Sequence, residues 1–184
     1  MSEHDRVRWE ERYRTRATPE VSAAGIPAVF APFEAEFPTR GTALDLACGQ
    51  GVASVWLASR GLDVWGLDIS VTAIDQARSS AAHAGVGERC EFDVVDLDDG
   101  LPDGPPVDVV VCHRFRDSRL DWAIADRLAP GGLLATSALS VVGAAPGRFR
   151  VQPGELTTAY AELDVIAAGE GNSEAWLLAR KPVQ

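Results

Sequence analysis

Two stretches constrain this chain more than any others. They are Ala43-Leu-Asp-Leu-Ala-Cys-Gly-Gln-Gly51 and Val64-Trp-Gly-Leu-Asp-Ile-Ser70. The first reads as a short apolar strand ending in a glycine turn, the second as another strand ending in an acid. Val52 to Arg60, between them, has helix composition. Strand, glycine loop, helix, strand and acid in that order bring the loop and the acid to the carboxyl ends of two adjacent parallel strands. That is where open α/β sheets bind nucleotides. Gly49 and Gly51 remove side chains where a ligand must approach the backbone. The helix start after them offers unpaired N–H groups and partial positive charge, which suit a carboxylate or a phosphate. Asp68 is placed to accept hydrogen bonds from two ribose hydroxyls.

The acids around the loop narrow the choice of nucleotide. A dinucleotide fingerprint would carry Gly or Ala at the third position, where this chain has Ser54. Asp45 stands just before the loop, where it would repel a pyrophosphate and attract an amino group. A further acid, Asp96, follows a candidate third strand in Phe92-Asp-Val-Val-Asp-Leu97. Acids gathered around one glycine loop favour a cationic nucleoside without phosphates. S-adenosylmethionine (SAM), with its sulfonium, ammonium, carboxylate and adenosine, has those groups.

The remaining pattern alternates strands and helices. A helix is expected from about Pro27, on the spacing of Ile26, Val29/Phe30, Phe33 and Phe37, with a kink or break at Pro32. Strands are expected at Thr42–Ala47, Asp63–Leu67, Arg89–Val95, Val107–Cys112 and Leu133–Leu139. Ser70 caps a helix through Ala82. Ser118-x-x-Asp121 reads as a capping box before a helix to Leu128. Gly143–Gly147 reads as a flexible loop, and Pro153 opens a helix to about Ala161. Asp164–Ala168 and Glu174–Arg180 close the chain as a hairpin. The expected fold class is α/β: a single doubly wound, Rossmann-like, seven-stranded, mostly parallel sheet with an antiparallel last strand and helices on both faces. The 184 residues fit one domain. Within it, 1–40 form an N-terminal lid and helix, 41–139 the nucleotide-binding core, and 140–184 a C-terminal helix and hairpin.

On these residues the chain resembles class I SAM-dependent methyltransferases, and more narrowly small tellurite-resistance and thiopurine-type enzymes. Leu44–Gly51, Gly66–Ser70, Asp96-Leu97 and Leu128-Ala-Pro-Gly-Gly-Leu133 carry the resemblance. Trp9-x-x-x-Tyr13, Pro153-Gly-Glu-Leu156 and Leu178–Pro182 join them, so that it covers nearly the whole chain. The resemblance implies SAM as cofactor, S-adenosylhomocysteine as product, and a small-molecule methyl acceptor. It implies a cofactor site of Asp45, Ala47, Cys48, Gly49, Gln50, Gly51, Asp68, Ile69, Ser70, Asp96, Leu97 and Cys112, with Ile69 against the adenine. Trp9 and Tyr13, at i and i+4, would share a helix face, as a lid over the cofactor or as a docking stripe. With no long insertion, the acceptor would be held by this arm and by short loops, through Trp9, Tyr13, Arg114 and Phe115. His113, in Cys112-His-Arg-Phe115 after the fourth strand, suits a general base; the alternative is a rim residue that only shapes the pocket. Arg114, Arg116 and Arg119 form a basic cluster that would attract an anionic substrate or simply be solvated.

Composition bounds the rest. Net charge is −10, from 17 basic and 27 acidic residues. That counts against nucleic acid as a partner, and with it an RNA or DNA methylase. Cys48, Cys90 and Cys112 match no zinc pattern or disulfide framework, so no metal is expected and a reducing cytoplasm is the simplest location. No apolar signal core or membrane-spanning run is present. A monomer or homodimer is expected. Competing readings are a SAM-binding protein without activity and an NAD-dependent oxidoreductase, the latter opposed by Ser54 and Asp45.

Overall fold

The computed structural model describes residues 3–15, 25–143 and 150–183, with side chains from residue 6 onward. The chain forms two compact units, residues 1–100 and 101–184. Both are built from β-strands and helices, in a mostly parallel arrangement with the antiparallel strand last in the sequence, which is the fold class expected.

In the first unit, helix α1 (Glu3–Thr15) precedes a 3-10 segment at Ala28–Glu36. Strands β1 (Gly41–Leu46), β2 (Leu62–Asp68) and β3 (Cys90–Val94) then pair in parallel, in the order β3-β2-β1. Their register sets Asp45 beside Gly66, and Gly66 beside Phe92. Gly66 has to be glycine: a β-carbon there would lie 2.6 Å from the Phe92 ring. Helix α2 (Val52–Ser59) follows β1, and α3 (Val71–His83) follows β2. Ala73, Ile74, Ala77 and Ala81 form the buried face of α3, and Ile74, Ala77 and Ala81 pack with Val55 and Phe92. Burying Ile74 completely contributes roughly 2 kcal/mol.

The second unit holds β4 (Val107–His113), α4 (Asp121–Arg127), β5 (Leu128–Ser140), β6 (Arg150–Val151), α5 (Glu155–Ala159), β7 (Asp164–Gly171) and β8 (Glu174–Arg180). Its strand order is β4-β5-β8-β7, with β6 alongside β5. β8 runs antiparallel to both neighbours. Asn172 and Ser173, both at positive φ, make the tight hairpin turn before it.

Several local expectations need correction. The segment after Pro27 is 3-10 rather than α-helical, and its backbone leaves helical values at Phe33, next to Pro32. Ser118 and Asp121 form no capping box. Asp117 caps the 3-10 turn at Ser118–Leu120, and Asp121 is drawn instead to Arg116. Among the described residues the seven expected strands are present, and the two-residue β6, too short to leave a pattern, adds an eighth beside β5. Of the loop expected at Gly143–Gly147, only Gly143 lies within the described residues. No helix among the described residues is long and apolar enough to cross a membrane.

Candidate functional site

The glycine loop of the first unit is held from both ends. The Cys48 amide donates to Leu67 O at 2.9 Å, which ties the loop to β2. Ala47, Gly49 and Gly51 all have left-handed backbones, with φ of 52°, 54° and 74°. Glycine takes that conformation without cost, whereas Ala47 does not. The Gly49 amide donates to Asp68 Oδ2 and the Ser70 amide to Asp68 Oδ1, both at 2.9 Å. Ile69, between them, is buried.

Asp45 and Asp68 are 2% and 5% exposed. Burial pushes Asp45 up to about 7 against the hydrogen bond that Ser54 donates at 2.5 Å, and the charge of Asp68 pushes the same way. Burial also raises Asp68, opposed by the amides of Ser70, Gly49 and Ile69. The Cys48 thiol is driven well above its ordinary range by burial and by these two acids. Two carboxylates that resist ionisation in this way would each be favoured in the charged form by a neighbouring cation.

Helix α1 is fastened beside this loop. Glu10 Oε2 accepts from the Ser70 hydroxyl at 2.6 Å and from the Thr72 amide at 3.3 Å, while the Thr72 hydroxyl donates to Oε1. Ser70 meanwhile accepts from the Ala73 amide at 3.1 Å, so one hydroxyl caps α3 and holds α1. Gln50, buried, donates to Gln76 Oε1 at 2.9 Å, and Gln76 donates to Tyr13 O at 3.3 Å. A β-carbon on Gly49 would lie 2.7 Å from the Tyr13 hydroxyl. The Trp9 and Tyr13 rings stack with centroids 6.2 Å apart, and Arg12 covers Trp9. The structure thus gathers Tyr13, Gly49, Gln50, Asp68 and Ser70 into one neighbourhood. Glu10, Thr72 and Gln76 belong to it and are absent from the sequence reading. Glu10 carried a signal, lying between Trp9 and Tyr13 on the same helix; Gln76 and Thr72 carried none. Asp96 is turned to a local task, accepting from the Asp98 amide at 3.0 Å, while Leu97 is buried.

Of the residues expected to hold the acceptor, Trp9 and Tyr13 lie in the first unit and Arg114 and Phe115 in the second, with the candidate base His113 and the expected cofactor residue Cys112. Cys112 is buried near the end of β4, its thiol 3.6 Å from Phe115 O, and Phe115 is half-buried. His113 Nδ1 lies 2.7 Å from Ser137 Oγ and 3.7 Å from Glu174 Oε1. Burial holds His113 below its ordinary range, Glu174 opposing and Arg114 reinforcing that shift. The arginines do not form a free basic patch. Arg114 pairs with Glu174 at 3.0 Å, Arg119 with Asp117 at 2.5 Å, and Arg116 with Asp121 and, at 3.1 Å, Glu155. Each of these cations meets a carboxylate of the chain's own; for Arg116, whose side chain is largely buried, the partners offset the cost of removing its charge from water.

Comparison with known proteins places this geometry. Residues 43–132 match a family described as a methyltransferase domain. The ribosomal RNA small subunit methyltransferase C of Chromohalobacter salexigens is 32% identical over 129 residues, 67% of this chain and 37% of that one. The 2-heptyl-1-hydroxyquinolin-4(1H)-one methyltransferase of Mycobacteroides abscessus is 34% identical over 104 residues, 53% of this chain and 45% of that one. The chain spans between 12% and 45% of the length of the curated relatives it matches. Among solved structures, TehB from Haemophilus influenzae superposes with a TM-score of 0.73 at 20% identity, over 94% of this chain and 65% of that one. Magnesium protoporphyrin IX methyltransferase from Synechocystis, solved with bound S-adenosylhomocysteine, gives 0.68 at 19% identity, over 97% and 93%.

Proposed function

We propose that the chain is a SAM-dependent methyltransferase that transfers a methyl group from SAM to a nitrogen, oxygen or sulfur atom of a small molecule; the match of residues 43–132 to a methyltransferase domain and the fold shared with TehB and magnesium protoporphyrin IX methyltransferase support the reading. The observation that carries the reading is Asp68, a buried carboxylate bracketed by the Gly49 and Ser70 amides at the edge of a glycine loop.

The residues present fit SAM. The loop is bare of side chains at Gly49, where even a β-carbon would crowd Tyr13. Its two buried acids, Asp45 and Asp68, suit a ligand that brings positive charge rather than phosphate. We assign the cofactor to Asp45, Ala47–Gly51, Asp68–Ser70, Asp96 and Leu97 of the first unit, with α1 as its cover. SAM supplies a methyl group on a positively charged sulfur, already activated toward a nucleophile. The chain's contribution is then chiefly to hold and align the reacting atoms at about 3–3.5 Å and to keep water out. His113, with Arg114 and Phe115 after it, is assigned to the acceptor.

The names of the relatives leave two acceptor classes in view. Several curated relatives are named as RNA methyltransferases, whereas one is named for a hydroxyquinolone. The net charge of −10 favours the small molecule, since RNA binding calls for a basic surface. The test is methyl transfer from labelled SAM to panels of thiols, phenols, N-hydroxy heteroaromatics and heteroaromatic amines, with ribosomal RNA in parallel. Label in a small-molecule product supports the proposal. Label in RNA alone overturns it, and SAM binding with no transfer to either panel points to a protein that binds SAM without catalysis.

A further inference from the structure

The second unit lines up three polar side chains on one face of its sheet. His113 ends β4 and sits in register with Ser137 of β5, which is in register with Trp176 of β8. Glu174, two residues before Trp176 on the same strand, presents its side chain to that same face. The contacts follow: His113 Nδ1 to Ser137 Oγ at 2.7 Å, and to Glu174 Oε1 at 3.7 Å. The other carboxylate oxygen, Oε2, accepts from Arg114 at 3.0 Å. Arg114 itself has φ +57°, and its amide donates to both the carbonyl and the hydroxyl of Ser137, at 2.9 and 3.3 Å. A left-handed non-glycine residue directly after the histidine is a local cost, held in place by those two bonds.

Glu174 Oε1 is the odd atom. It is buried and has no hydrogen-bond partner among the described residues. A buried carboxylate oxygen left unsatisfied is costly, and so calls for an explanation. The nearby positively polarisable group is the His113 ring. A negative oxygen facing Nδ1 favours a proton on that nitrogen and disfavours a lone pair there. A neutral ring protonated at Nδ1 carries its lone pair on Nε2, and a second proton on Nε2 makes an imidazolium whose charge faces Glu174.

We propose that Glu174 and Ser137 are positioning residues that fix His113 as the Nδ1–H tautomer with Nε2 as a proton acceptor. The methyl acceptor is therefore of the class that still carries a proton on its nucleophilic atom at neutral pH: a phenol, an alcohol, an N-hydroxyl or a heteroaromatic N–H. The inference rests on the methyl-transfer reading and narrows its acceptor. In the proton step the acceptor's O–H or N–H bond breaks, its electron pair stays on the oxygen or nitrogen as the nucleophile, and the proton goes to Nε2. Among the described residues, Glu174 and Arg114 are the charged side chains that face the ring, one stabilising the imidazolium and the other, already paired, opposing it.

The test is long-range ¹⁵N–¹H NMR of the histidine rings of the full chain, without cofactor or acceptor. There are three histidines, and His113→Gln identifies the signal of interest. The expected result is an Nδ1–H tautomer in the native protein. In Glu174→Gln, whose amide can donate to Nδ1, the ring is expected to move toward Nε2–H and its proton affinity to fall about tenfold. Ser137→Ala is expected to loosen the tautomer preference while keeping the higher proton affinity. A native ring already in the Nε2–H form, or a Glu174→Gln ring with unchanged tautomer and titration, overturns the proposal. The native spectrum decides the first point even if a variant fails to fold. Because no cofactor is present, this failure is distinct from failure of the methyl-transfer reading, which shows itself as absent SAM binding or absent methylated product.

Discussion

The Gly49 amide and the Asp68 carboxylate meet at 2.9 Å, so the loop that ends β1 and the acid that ends β2 fix one another. The Ser70 amide takes the other oxygen at the same distance. Removing the carboxylate therefore frees two amides as well as deleting an acid. Asp68→Asn retains an acceptor for one of them and is expected to fold, whereas Asp68→Ala is expected to lose about 1–3 kcal/mol of stability. Urea unfolding of the two variants beside the native chain checks this.

Asp45 ties stability and ligand affinity to pH. Its folded pKa of about 7 lies above its ordinary value of 3.8. Between those values the folded protein holds a proton that the unfolded chain has released, so stability falls as pH rises from about 4 to about 7. Asp45→Asn is expected to be the more stable protein at pH 8, by on the order of 2–4 kcal/mol, with the advantage gone below pH 4. Thermal unfolding across that range measures it. A cationic ligand favours the ionised acid, so SAM affinity is expected to rise with pH between 6 and 8. Proton release during titration calorimetry, compared in buffers of different ionisation enthalpy, checks that second point.

Glu10 acts in the opposite sense. Burial works against its ionisation, but hydrogen bonds from Ser70 and Thr72 outweigh it and hold the carboxyl below its ordinary value. The fastening of α1 is thus fully present above the ordinary glutamate range and is lost as pH falls through the folded pKa. Glu10→Gln is expected to weaken α1 docking by about 1 kcal/mol at neutral pH, leaving the rest of the first unit intact. Faster amide hydrogen exchange confined to residues 3–15 is the readout.

The loop glycines and Ala47 make opposite predictions. At Gly49, φ is +54° and a β-carbon would stand 2.7 Å from the Tyr13 hydroxyl, so Gly49→Ala is expected to displace α1 and weaken SAM binding at least tenfold. At Ala47, φ is +52°, and Ala47→Gly is expected to stabilise the fold by up to about 1 kcal/mol. Unfolding curves and calorimetric titration of the two variants separate these effects.

How much of this was legible in the sequence depended on the range of each interaction. The β1-loop-α2-β2 unit follows from local signals, since Gly51, Gly61 and Ser70 mark their turns and caps within a few residues. Cross-strand and cross-helix partners leave no such trace. The link from Glu10 to Ser70 spans sixty residues, and that from Arg114 to Glu174 spans sixty as well. Nothing in Arg114-Phe-Arg116 announces that its cations are already matched, and the basic patch expected there is a set of internal ion pairs. The two-residue β6 is defined only by the neighbour it pairs with. Pro32 announced a break, but not that the whole segment would wind as a 3-10 helix.

The most direct measurement is isothermal titration of the purified protein with SAM, with NAD as the control ligand and Asp68→Ala beside the native chain. The account predicts micromolar SAM binding, no NAD binding, and loss of SAM binding in the variant. Native protein that binds NAD in place of SAM, or SAM binding that survives Asp68→Ala unchanged, would contradict it.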